Sequence, residues 1–220
     1  MISLLLSAIV LALRLAQGSL ALAAPPAPKL VPLPIRYPKP VFVGTPKHVP
    51  AGTTVEIAPR KPPPPLKVPA GTVNVALGKP VLASVRETIT GEPDLVTDGD
   101  KEAEGGAYME LGRGLQWVQV DLGAVYLVHA VALWLEHGDP RVYRDVVVRS
   151  AEDADFIVNS RTLFNNDRDN SAGFGVGKDR EYFETNKGRL IEAPAVRARY
   201  VRCTSHGSTA THPDGVVESG

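Results

Sequence analysis

Fifteen of the 20 prolines lie between Pro25 and Pro69, and only five are spread over the following 150 residues. Each proline fixes φ and removes an amide donor, so residues 25–70 admit neither a helix nor a central strand. The segment is expected to be a disordered, extended spacer that holds the C-terminal part of the chain away from its attachment. Val49-Pro50-Ala51-Gly52-Thr53 repeats as Val68-Pro69-Ala70-Gly71-Thr72, a short duplication that is too small to build a solenoid. A single compact domain over the whole chain is excluded, and the zero net charge hides the division. The spacer carries seven Lys/Arg against Glu56 alone, whereas residues 71–220 hold 16 basic and 23 acidic side chains. An acidic domain repels phosphate backbones, which argues against nucleic acid as its partner. The single cysteine excludes an internal disulfide framework and a multi-cysteine zinc site.

Residues 1–24 are nearly all apolar, with Ala21-Leu22-Ala23 fitting the small-x-small rule for cleavage before Ala24 or Pro25. Arg14 interrupts the run and counts against a membrane span. A cleaved signal peptide, no span after cleavage and a secreted or periplasmic location are expected.

After Gly71 the pattern becomes that of strands. In Trp117-Val118-Gln119-Val120-Asp121-Leu122 the apolar side chains alternate, which predicts one buried face and a stop at Gly123. Val125 to Leu135 is apolar on both faces and reads as a central strand. His137-Gly138-Asp139-Pro140 is a turn, Val142 to Ser150 the next strand, and Ala198 to Thr204 another. Helical periodicity is nearly absent. The expected class is all-β, an antiparallel sandwich over residues 71–220.

The same residues resemble the discoidin domain family, also called coagulation-factor type C domains. The resemblance runs through Asn74-Val75-Ala76-Leu77-Gly78-Lys79-Pro80-Val81, Val96-Thr97-Asp98-Gly99-Asp100, Gln116 to Gly123, Tyr143 to Ser150 with Glu152-Asp153, and Ala198-Arg199-Tyr200-Val201-Arg202. It implies an eight-stranded jelly roll of the galactose-binding-like type and a non-catalytic carbohydrate-binding role. The tail departs from the family: His212-Pro213-Asp214-Gly215-Val216 lacks the closing strand and its tyrosine.

Three groups of residues carry candidate chemistry. Asp94, Asp98 and Asp100 surround Gly99 in an acidic loop that offers oxygens to a hard cation, or is a solvated turn. The resemblance implies a structural calcium there, with Glu218 as the remaining donor. Asn165, Asn166 and Asp167 open the most polar loop, suited to sugar hydroxyls or to plain solvation. His137, Asp139, Arg141, Tyr143 and Arg144 surround a turn between two strands. In similar sandwiches such loops hold donors for hydroxyls beside a stacking aromatic. Tyr108, Phe174, Tyr182 and Phe183 are the available loop aromatics, and Trp117 and Trp134 are expected in the core.

No signature of catalysis is legible. Gly173 to Asp179 only superficially resembles a phosphate loop, with Ala172 and Asp179 at the wrong positions. His-Glu-x-x-His and Gly-x-Ser-x-Gly are missing, and Cys203 is expected to be a buried hydrophobe. The reading is a tethered glycan-binding module for a polysaccharide or glycoconjugate. The alternative is an envelope adhesion module with a protein partner.

Overall fold

The computed structural model describes residues 28–42, 54–56, 64–102 and 107–209. The expected signal peptide and Glu218 lie outside these residues. Among them there is no α-helix, and no helix is long and apolar enough to cross a membrane. The strands are β1 (Leu30–Pro32), β2 (Lys67–Pro69), β3 (Val81–Ala83), β4 (Gln116–Leu133), β5 (Tyr143–Arg144), β6 (Val147–Ala151), β7 (Arg161–Asn165), β8 (Arg189–Ser205) and β9 (Gly207–Ser208). A 3-10 turn covers Pro93–Val96. All pairings are antiparallel. The class is all-β, as the alternation predicts.

The main sheet has the order β3-β4-β8-β6-β7, with β5-β9 and β1-β2 as separate pairs. β4 and β8 are long enough to serve both layers. Their first contact joins Gln116–Asp121 to Tyr200–Ser205, and their second joins Tyr126–Leu133 to Arg189–Ala198, with register shifts between. The second ribbon folds over the inner face of the sheet. Val131, Leu133 and Leu135 pack against Val146, Val148, Phe164 and Ile191. A second cluster holds Leu122, Val128, Ala193 and Ala198. Burying one such Val or Leu stabilises by about 1.5–3 kcal/mol, so these clusters outweigh any surface pair.

Several boundaries differ from the expectation. The strand does not stop at Gly123, because a bulge between Asp121 and Tyr126 absorbs the break. Residues 126–133 pair with β8 alone among the described residues, and Val125 and Leu127 are exposed, so this half is not a central strand. Val142–Ser150 is interrupted at Asp145, whose φ of 54° ends β5 before β6 begins.

The described parts of the proline-rich segment differ from a free spacer. β1 and β2 pair as Leu30↔Pro69, Val31↔Val68 and Pro32↔Lys67, and Val68 is buried. Short edge strands tolerate proline because only one of their sides must donate. Thr54 and Glu56 dock on the loop before β8. The Glu56 amide donates to the Glu181 carbonyl at 2.7 Å, and Arg189 meets the Glu56 carboxylate at 2.9 Å.

On the outer face, Arg199 forks onto Asp121 through bonds of 2.7 and 2.8 Å. The Arg199 guanidinium holds the Asp121 carboxyl down at about 2, against an ordinary 3.8. A depressed folded pKa gives stability present above the unfolded value and lost as pH falls through the folded one. Asp121→Asn is therefore expected to flatten the acid limb of the melting curve between about pH 4 and 2. At neutral pH the fall in Tm is small, because both side chains are partly exposed.

Candidate functional site

The connection from β4 to β5, residues 134–142, forms one polar end of the sandwich. Arg141 grips Asp139 through Nε–Oδ1 at 2.5 Å and Nη2–Oδ2 at 2.6 Å, and reaches Glu136 Oε2 at 2.9 Å. The Asp139 carboxylate, with smaller contributions from Tyr143 and Glu136, pushes the Arg141 guanidinium above its ordinary value. Asp139 is exposed and keeps capacity to accept from a ligand. The Tyr143 hydroxyl donates to the Glu136 carbonyl at 3.4 Å, and burial pushes its pKa up.

His137 departs from its expected role. It is buried, with Nε2 2.9 Å from the Lys101 carbonyl, so Nε2 carries the proton and the ring props the 98–102 loop. Trp134, expected in the core, is half-buried at this end. Its Nε1 donates to the Asn186 carbonyl at 3.0 Å, and the Lys101 ammonium stands 5.6 Å from the ring centre. Gly188, at φ 60°, backs the indole; a Cβ there would come within 2.9 Å of two ring carbons. Asn186 Nδ2 also donates to the Pro38 carbonyl at 2.8 Å, and the Lys39 amide to Glu102. The proline-rich segment therefore crosses beside this end.

Beneath it lies a group that no sequence pattern marks. Glu184 is buried, its amide bound to the Arg141 carbonyl at 2.9 Å, and neither carboxyl oxygen has a hydrogen-bond partner among the described residues. The buried Tyr182 hydroxyl acts on it without reaching hydrogen-bond geometry. Burial pushes the Glu184 carboxyl up to about 8 and the Cys203 thiol to about 12. Tyr182 lies in the loop before β8 as expected, but its side chain packs into the core and is not available to stack on a sugar. The parity set by the Val142↔Phe183 bridge turns Tyr182 and Glu184 inward together, a signal too short to read in advance.

Asn165, Asn166 and Asp167 do not face outward as the polar loop suggests: all three are buried and hold backbone. Asn166 accepts from the Val146 amide at 2.6 Å, and Asn165 Nδ2 donates to the Gly175 carbonyl at 2.9 Å. Asp167 accepts from the Ser171 and Ala172 amides at 3.2 and 2.9 Å. A Cβ at Gly177 would run into the Asn165 carbonyl, which explains the glycine without any phosphate. These atoms are spent on backbone amides and a backbone carbonyl, so they do not present themselves to a sugar. Arg144, on the β5–β9 pair, is half-buried.

The acidic loop does not gather as expected either. Asp98 Oδ1 accepts from the Asp100 amide and Asp100 Oδ1 from the Glu102 amide, each closing a local turn. Among the described residues carboxylates converge instead at Asp145, Asp167 and Asp169, within 4.8 Å of one another. His206 Nδ1 lies 2.9 Å from Asp145 and 3.4 Å from Ser171 Oγ. Both contacts fall on the same nitrogen. A Ser-His-Asp relay needs the two on opposite ring nitrogens, so this group is not one. Two shallow hollows flank β3, one lined by Arg86, Glu87 and Thr88 and the other by Lys79, Asp94 and Asp98.

No protein-family model and no curated protein matches the chain. Solved structures similar to it include carbohydrate-binding modules. One is a CBM32 module produced by Clostridium perfringens, in complex with GlcNAc-α-1,4-galactose, at 18% identity over 70% of this chain and 90% of that one, TM-score 0.46. Another is chitosan-binding module 1 of a Paenibacillus sp. chitosanase/glucanase, at 22% identity, 61% and 86% coverage and TM-score 0.42. A third is the CBM32 of AlyQ in complex with 4,5-unsaturated mannuronic acid, at 19% identity, 60% and 84% coverage and TM-score 0.42. Identities this low assign no ligand to this chain.

Proposed function

We propose that the chain is an exported, non-catalytic carbohydrate-binding module whose ligand end is the Trp134 loop. The observation that carries this is an indole fixed by Asn186, beside Lys101 and the Asp139–Arg141–Glu136 fork. A sugar asks for this combination: an apolar ring for its C–H face, cations to donate to hydroxyl oxygens and a carboxylate to accept. The discoidin resemblance of the sequence points the same way. Export would follow from residues 1–24, checked by an exported chain that begins at Ala24 or Pro25.

The test is a glycan array probed with the full chain, followed by Trp134→Ala and Asp139→Ala on the strongest glycan. Each variant is expected to weaken binding at least about tenfold, equivalent to 1.4 kcal/mol. Exposed Asp139 should leave Tm unchanged. A folded chain that retains no glycan ends the reading, and a captured envelope protein would then favour an adhesion module. A structural calcium belongs to the same proposal, and would have to draw Asp94, Asp98 and Asp100 together with Glu218. A Tm unmoved by millimolar calcium removes it.

A further inference from the structure

Arg149 on β6 and Arg202 on β8 are direct cross-strand partners. Like charges in that position repel. The repulsion is managed with rings. The Arg149 guanidinium lies 4.7 Å from the Phe174 ring centre and 5.1 Å from that of Phe156. The Arg202 guanidinium lies 4.3 Å from Phe156 and 4.5 Å from Trp117. The order across the outer face is thus ring, cation, ring, cation, ring. Phe174 and Phe156 come from the loops after β7 and β6, and Phe156 holds a left-handed φ of 60° to reach its place.

What the row lacks is an anion. Arg141, Arg189, Arg197 and Arg199 each grip a carboxylate. Arg149 and Arg202 grip none among the described residues. Arg202 is spent on the Gln119 side-chain oxygen, at 2.9 and 2.5 Å, and on the Ala154 carbonyl at 3.2 Å; Asp155 attracts it only from beyond ion-pair distance. Among the described residues Arg149 donates to Ser160 Oγ alone, at 2.8 Å. Desolvation lowers the pKa of both guanidiniums, and Arg149 lowers that of Arg202 further. Two half-buried, adjacent, unneutralised cations make a site in which an anion lowers the electrostatic cost of both. With rings beside both guanidiniums, the N–H groups that have no partner among the described residues are those of Arg149 Nε and Nη1 and Arg202 Nη1, and these donors are left for a planar carboxylate or a tetrahedral sulfate.

We propose that the Trp117–Arg202–Phe156–Arg149–Phe174 row is a second binding site, and that it takes the acidic groups of an anionic polysaccharide. The partner is a glycan rather than nucleic acid because residues 71–220 are net acidic and repel a continuous phosphate backbone. A polyuronate or a sparsely sulfated glycan has a lower linear charge density than duplex DNA, so the same repulsion costs it less. This site is separate from the Trp134 end and does not rest on it.

The test is affinity electrophoresis of the full chain in gels containing polygalacturonate, dextran sulfate, neutral dextran or duplex DNA. Retardation by one or both acidic polysaccharides is expected, falling with added salt and weakened at least about tenfold by Arg149→Gln and by Arg202→Gln. Polygalacturonate alone identifies carboxylate as the group read, and dextran sulfate alone identifies sulfate. Trp134→Ala should leave this retardation intact, which separates failure of this site from failure of the loop-end site. Should a glutamine variant not fold, Arg149→Lys keeps the charge without the planar fork and is expected to bind more weakly than the native chain. Native-like retardation of the glutamine variants, or of Arg149→Lys where those do not fold, overturns the proposal. So does absence of retardation by either acidic polysaccharide, or equal retardation by DNA.

Discussion

Glu184→Gln is expected to abolish a fall in stability that the native chain shows between about pH 4.5 and 8. The carboxyl has an ordinary value of 4.5 and is pushed to about 8 by burial. A folded pKa above the unfolded one gives stability that is complete below the unfolded value and is lost as pH rises to the folded one. Each pH unit in that window costs about 1.4 kcal/mol, so the whole amounts to something on the order of 4–5 kcal/mol. Above pH 8 this group makes no further difference. Gln has the shape of the protonated acid and no charge to lose, so the variant's Tm should stay flat where the native one declines. At about 2–4 °C per kcal/mol for a domain of this size the gap is easily read by pH 8. Coincident curves for the two proteins would mean that Glu184 is not held uncharged in the core. Glycan binding gives a second reading of the same residue, because its amide bonds to the Arg141 carbonyl. Loosening at high pH should reach the loop end in the native chain but not in the variant.

The second large effect is expected at Asp167. Its two oxygens satisfy the amides of Ser171 and Ala172, and the side chain is fully buried. Asp167→Ala strands the buried Ala172 amide, while the Ser171 amide keeps Asp169 Oδ1 at 2.9 Å. An unsatisfied buried group costs about 1–3 kcal/mol, so the loss is of that order, visible in a urea melt as a lower midpoint at unchanged slope. Asp167→Asn retains one acceptor and is expected to lose less. Removing the charge also relieves Asp145 and Asp169, which share its 4.8 Å neighbourhood, so the alanine value is a lower bound on the hydrogen-bond contribution. An unchanged midpoint for Asp167→Ala would show that the loop does not need this carboxylate.

These two residues mark where the sequence is legible and where it is not. Strand alternation around Val118, Val120 and Val201 is a local pattern with a period of two, and it survives into the main sheet. Asp167 stands out for the polarity of its surroundings, but whether a polar loop faces solvent or its own backbone depends on how residues 165–179 coil. Gly177 pressed against Asn165 decides that. Nothing in Tyr182-Phe183-Glu184 distinguishes a buried acid from an exposed one, so Glu184 carries no signal. Trp117 and Trp134 read as core because large aromatics usually bury, yet each carries a cation on its ring. Arg149 and Arg202 stand more than 50 positions apart, and only the pairing of β6 with β8 sets them side by side.

The sequence alone determined the all-β class and the places where most strands lie, because backbone propensity and side-chain alternation act over a few neighbouring residues. It determined the division of charge between the proline-rich segment and the acidic domain for the simpler reason that composition needs no fold. Tertiary structure alone decided which polar groups are spent internally and which are left to meet a ligand. It also decided that part of the proline-rich segment lies against the domain. Those outcomes hang on contacts between distant stretches of chain, and burial, which sets the energy of a charge, is a property of the whole packed molecule.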